Sequence, residues 1–192
     1  MGSTLIVLVI LAGPVIAGWW LFRTVNSPMV RASRQIGIAN MALAEERYDD
    51  AMAMFQSAQA LVPGIRDDNV RDHVQYATEH GLAVTCMQMG DPETAHGHLL
   101  AAAEQLEATP QTSVTAAYLY TELASVSMSL GNHAEADAAL EKLRVLCEDA
   151  IDQDRSDLSE ILNTAASGAT DRSQPELARQ LSDLVVEYLD QP

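Results

Sequence analysis

"ERYDDAMAMFQSAQALVP", residues 46–63, reads as the second half of a helical hairpin. Tyr48, Ala51, Phe55, Ala58 and Pro63 recur at spacings of three, four, three and five, one face of a helix followed by a stop. That face carries alanine where a core would ordinarily want bulk. Outward from this stretch the pattern returns: Ala39, Ala51, Phe55 and Ala58 are matched by Ala83, Ala95, Leu99 and Ala102, then by Ala124, Ala136, Leu140 and Leu143. Within each set the intervals are 12, four and three, while the step from Ala39 to Ala83 is slightly longer than the step from Ala83 to Ala124. Constant internal geometry with variable connections marks a stack of paired helices. Ala39 with Ala51, Ala83 with Ala95 and Ala124 with Ala136 then mark close crossings, while Phe55, Leu99 and Leu140 fill the wider space beside them. Met89-Gly90-Asp91-Pro92 and Leu130-Gly131-Asn132-His133 are the turns, glycine ending one helix and proline needing no amide partner at the start of the next.

This pattern resembles the tetratricopeptide repeat. Unit one carries Ile38-Ala39, Tyr48, Ala51, Phe55, Ala58 and Pro63; unit two carries Leu82-Ala83, Gly90, Ala95, Leu99 and Ala102; unit three carries Leu123-Ala124, Gly131, Ala136 and Leu140. The match covers residues 32–150 as units 32–65, 76–109 and 117–150. It departs from the family pattern where the first helices lack a bulky aromatic, Tyr120 excepted, where Pro63 is the only clear closing proline, and where Leu143 replaces an alanine. The period exceeds the family's usual length, and longer loops at 64–69 and 108–114 are expected to hold the excess. A HEAT-like repeat shares the observed period and stays open as an alternative. Residues 151–192 read as a C-terminal capping helix pair, with Ser173 as N-cap, Glu176 in capping-box relation, and an apolar stripe of Leu177, Leu181, Leu184, Val185 and Leu189.

Composition agrees with an all-α chain: 48% of the 192 residues are apolar but only 5% are aromatic, which disfavours strands. Charge is unevenly placed. Residues 1–44 hold Arg23, Arg31 and Arg34 and no acid, giving +3; the remainder holds 27 acidic and eight basic residues, giving −19 and a total of −16. An acidic body repels phosphate backbones, so nucleic acid is not the expected partner; the acidity serves solubility or meets a basic partner. Cys86 and Cys147 lack metal-like spacing and read as buried free thiols.

"TLIVLVILAGPVIAGWWLF", residues 4–22, has no charged side chain. As a helix it spans about 28 Å, close to the hydrocarbon thickness of a bilayer. Residues 1–23 are therefore expected to form a single transmembrane anchor, with Trp19 and Trp20 in the interface belt and Arg23 just beyond, followed by a basic stem over 24–31. A cleaved secretory signal ending at Val15-Ile16-Ala17 is the rival, opposed by the absence of a basic residue ahead of the apolar run. Arg23, Arg31 and Arg34 place the soluble domain in the cytoplasm by the positive-inside rule, with a periplasmic or extracytoplasmic side as the alternative.

No phosphate-binding glycine loop, nucleophile elbow or zinc-protease motif is present, and the five histidines lack a ligand-like set. No enzyme activity, cofactor or metal is expected. The resemblance implies instead a concave groove lined by the first helices, at Asn40 and Leu43, at His80, Val84 and Met87, and at Tyr118, Thr121, Ser125 and Met128. Some family members clamp a terminal carboxylate there with basic residues; only Asn40 resembles such a residue, so no clamp of that kind is expected. A neutral, methionine-containing groove suits an apolar or amphipathic helix, although the same residues can equally pack against neighbouring helices. The expected function is a membrane-anchored adaptor or assembly factor that binds a protein partner; the alternative is a non-catalytic accessory subunit of a membrane complex.

Overall fold

The structure is a computed structural model that describes residues 26–108 and 112–189. The anchor expected over 1–23, with Trp19, Trp20 and Arg23, lies outside the described residues. Among the described residues no helix is long and apolar enough to cross a membrane.

Among the described residues eight α-helices follow one another: α1 (Pro28–Ala44), α2 (Tyr48–Gln59), α3 (Asp68–Gln88), α4 (Pro92–Ala108), α5 (Ser113–Ser129), α6 (His133–Glu148), α7 (Asp152–Asp171) and α8 (Pro175–Leu184). A 3-10 turn at Val62–Gly64 follows α2, and a π-helical turn at Val185–Leu189 continues α8. No strand occurs among the described residues. The helices pair as α1–α2, α3–α4, α5–α6 and α7–α8.

The same backbone device closes all four hairpins. Glu46, Gly90, Gly131 and Ser173 adopt positive φ angles of 58°, 77°, 75° and 60°. In each, the positive-φ residue donates its amide to a carbonyl three residues back, and the next residue donates to one five back: Asp91 to Cys86 at 2.9 Å, Asn132 to Ser127 at 2.8 Å, Gln174 to Ala169 at 2.8 Å. These bonds satisfy carbonyls that a helix end otherwise leaves bare. Ser173 is therefore not the N-cap of α8. It ends α7 in a left-handed conformation, Gln174 caps α8 without a side-chain bond, and Glu176 accepts from Arg179. The capping-box spacing failed here because the chain reverses one residue later than that motif requires.

Small residues sit at the crossings as expected: Ala39, Ala51, Ala83, Ala95, Ala124 and Ala136 are fully buried. In α2 the buried positions are Ala51, Phe55 and Ala58, and in α4 Ala95, Leu99, Ala102 and Leu106. In α6 they are Ala136, Ala139, Leu143 and Cys147, and Leu140 is only half-buried. With Leu143 standing where the other units have alanine, the small and large roles move along the helix: Ala139 goes inside and Leu143 fills the space assigned to Leu140.

The excess in the repeat period is held differently from the expectation. Asp67 caps α3 by accepting from the Val70 amide at 3.0 Å, so residues 68 and 69 are helical and α3 runs for 21 residues. Ser27 and Thr112 likewise cap α1 and α5 ahead of the first repeat positions. The stripe of Leu177, Leu181, Leu184, Val185 and Leu189 is buried and completes a core running from α3 to α8. Hairpin α1–α2 has separate clusters and reaches the remainder through α3, at Val74 and Leu82.

Candidate functional site

The first helices of the hairpins are unevenly spaced. α1 packs on α3 and α5 packs on α7, but α3 and α5 have no comparably close backbone approach. The gap between them, closed at one end by the α7–α8 turn, is a cleft of about 520 Å³. Val84 and Met87 of α3 face Val126 of α5 across it, while Gln88, Glu122, Ser129 and Arg172 supply the polar boundary.

Why the gap exists follows from the surroundings of α5. This helix is buried at ten positions between Ala116 and Ser127, because α4, α6, α7 and α8 all pack against it. Its remaining face looks toward α3 and meets that helix through a polar bridge. His80 Nε2 lies 2.7 Å from a carboxylate oxygen of Glu122, and the His80 ring stacks on Tyr76 with centroids 5.8 Å apart. Burial opposes the charged imidazolium, yet the hydrogen bond and negative charge of Glu122 outweigh it, so the His80 pKa lies above the ordinary histidine value.

Two further histidine–carboxylate pairs hold α4 in place. His98 Nδ1 lies 2.7 Å from Glu79, whose other oxygen accepts from Gln59 Nε2 at 2.8 Å, so one buried carboxylate ties α2, α3 and α4 together. His96 Nε2 lies 2.8 Å from Glu135 of α6, in contact but without hydrogen-bond alignment. His96 and His98 thus point to different neighbours, as their spacing of two requires on a helix. Among the described residues no group of three or more histidine, cysteine or acidic side chains is placed to hold a metal ion.

The fourth hairpin is locked to the cleft wall by paired hydrogen bonds. Ser125 Oγ donates to Gln174 Oε1 at 3.0 Å, and Gln174 Nε2 donates to the Ser125 carbonyl at 2.9 Å. Arg172, one residue past the end of α7, lies along its last turn, where the helix dipole favours a cation, and has no ion-pair partner among the described residues. Most other basic side chains of the body are paired: Arg47, Arg71, Lys142, Arg144 and Arg179 each contact at least one carboxylate.

Of the residues expected to line a groove, Val84, Met87 and Ser125 come together in the cleft, and His80 adjoins it through Glu122. Thr121 is buried, its hydroxyl donating to the carbonyls of Ala117 and Tyr118. Met128 packs against the core. Asn40 and Tyr118 are exposed and Leu43 packs within the first hairpin, all three away from this cleft. Sequence reasoning missed Val126, Arg172 and Gln174. The last two were findable: Ser173 follows Gly131 at nearly the interval by which Gly131 follows Gly90, the place for one more hairpin turn.

The two thiols are inert by position. Cys86 and Cys147 are free and buried, and burial pushes the Cys147 pKa up to about 11.

Fold and site together define a class: an all-α stack of helical hairpins whose separated pair of first helices opens one concave cleft. The chain matches no protein-family model, and no curated protein matches it.

Proposed function

We propose that this protein is a membrane-anchored adaptor or assembly factor of tetratricopeptide type, holding an amphipathic helix of a partner protein in the cleft between α3 and α5. The observation that carries the reading is the cleft itself: α3 and α5 stand apart, with half-buried Val84 and Met87 along one wall and the buried Val126 side chain at its floor. Its apolar walls suit one face of a helix, and its polar boundary with Arg172 suits the other. The hairpin turns at Glu46, Gly90, Gly131 and Ser173, almost evenly spaced along the chain and all closed by the same device, support the repeat assignment. The charge-free run at 4–22 followed by Arg23, Arg31 and Arg34 supports an anchor with the helical body on the cytoplasmic side. The protein works by binding and has no catalytic step.

Co-purification from native membranes in mild detergent tests the reading. Met87→Glu puts a charge on the cleft wall, and circular dichroism checks that the variant folds. The expected outcome is loss of one partner by tenfold or more, since an unpaired charge against an apolar helix face costs about 2 kcal/mol. Retention of the same complex at wild-type yield by a folded variant contradicts the cleft as the binding site.

A further inference from the structure

The two ends of the hairpin stack differ in character. At the C-terminal end α7 exposes Ser156, Asp157, Glu160, Asn163, Thr164 and Ser167, the polar outer face a stack needs where it stops. At the N-terminal end α1 contains no acidic residue and leaves Met29, Ile38 and Met41 exposed, Met41 at 60%. Arg31 and Arg34 are exposed on the same helix and have no ion-pair partner among the described residues. Around the helix, Arg34, Gly37 and Met41 lie at the centre of the outward arc, opposite buried Ala32 and Ala39. In a chain of net charge −16 this is a mixed exposed arc, with Met41 beside Arg34 at its centre, Ser33 and Asn40 among its polar members, Met29 and Ile38 toward its opposite edges, and basic charges only.

We propose that the outer face of α1 docks on an anionic lipid surface, so that the stack stands on the bilayer through its first helix. The proposal rests on the membrane-anchor reading given above. Two observations choose lipid as the occupant. First, the charge-free run ends at Phe22 and α1 begins at Pro28, so the short connection limits the separation to about 21 Å. A helix held that close to a bilayer meets its headgroups before it meets any other surface. Second, the charges are complementary: Arg31 and Arg34 are the charged side chains of α1, and the acids Glu45, Glu46, Asp49 and Asp50 gather at its far end, where Arg47 bridges Glu45 and Asp50. Exposed methionine and isoleucine beside arginine give the mixed face of an interfacial helix.

Gly37 provides the probe site. A Cβ there meets nothing within 4 Å, and the native cysteines are buried, so Gly37→Cys accepts an environment-sensitive fluorophore without disturbing packing. The full chain is reconstituted in vesicles of phosphatidylcholine alone or mixed with phosphatidylglycerol, with Ser167→Cys on α7 as the reference position. The expected result is a blue shift and quenching by lipid-borne quencher at position 37 only, only in anionic vesicles, and weakened by salt. Arg31→Glu with Arg34→Glu should lower the docked-to-undocked ratio by about 30-fold or more, each arginine near the surface contributing about fivefold. Extraction with alkali is read in parallel, because it reports the anchor alone. Retention after alkali with identical signals at 37 and 167 overturns the docking face and leaves the anchor standing. Extraction by alkali with the signal at 37 preserved overturns the anchor and upholds the face, and loss of both overturns both. Efficient disulfide cross-linking of two unlabelled chains through position 37 makes the face a contact between copies and overturns lipid docking.

Discussion

Gly81 shows how a single missing carbon positions two hairpins. It lies in the middle of α3, where glycine costs about 1 kcal/mol relative to alanine on propensity alone. A Cβ at this position would sit 2.2 Å from Cε1 of Phe55, which is fully buried. The ring of α2 therefore rests directly on the backbone of α3. Gly81→Ala is expected to destabilise the protein by about 1–2 kcal/mol, overpacking outweighing the propensity gain, measured by urea denaturation. Phe55→Leu in the same chain should recover part of the loss, whereas Gly37→Ala, meeting nothing, should stabilise. Unchanged stability in Gly81→Ala would contradict this packing. Phe55 was legible in the sequence as a space-filling residue because its role repeats at Leu99. Gly81 was not, because its reason for being glycine lies on another helix and has no counterpart in the other units. Leu140 misled for the related reason that one leucine replacing an alanine moved the buried face of α6.

At the scale of elements, the joint between α3 and α5 holds the His80–Glu122 pair, and it should respond to pH. The His80 pKa is raised in the folded protein, because Glu122 outweighs the effect of burial. The pair therefore stabilises the fold fully below the ordinary histidine pKa of about 6.5, and that contribution is lost as pH rises through the raised folded value. Thermal midpoints should fall across that window, and His80→Gln should flatten the fall; a slope unchanged in the variant would place the titration elsewhere. Helix boundaries illustrate what patterns can and cannot reach. Gly90 and Gly131 announce their turns because glycine takes positive φ freely, while Glu46 and Ser173 make the same turn without the residue that advertises it. The length of α3 was hidden too, since Asp67 acts as a cap only once Val70 turns its amide toward it.

Over the whole molecule, the proposed binding role rests on unequal spacing. A stack with uniform contacts between first helices would present a shallow surface; here α1 joins α3, α5 joins α7, and the missing approach between α3 and α5 becomes the cleft. The repeat and its all-α nature were readable from intervals of alanine, but the cleft was not, because it depends on distances between helices of different repeat units. Only Val84, Met87 and Ser125 of the expected groove reach it, and Arg172 joins them from a turn that only the repeat interval marks, since Ser173 stands there in place of glycine. The measurement that bears most directly on this reading is site-specific photo-cross-linking in native membranes, with the photoreactive residue at Met87 or Ser129 in the cleft, or at Val145 on the exposed face of α6. Cross-links from both cleft positions to one shared protein, with none from Val145, are the expected result; a partner captured from Val145 but from neither cleft position would contradict it.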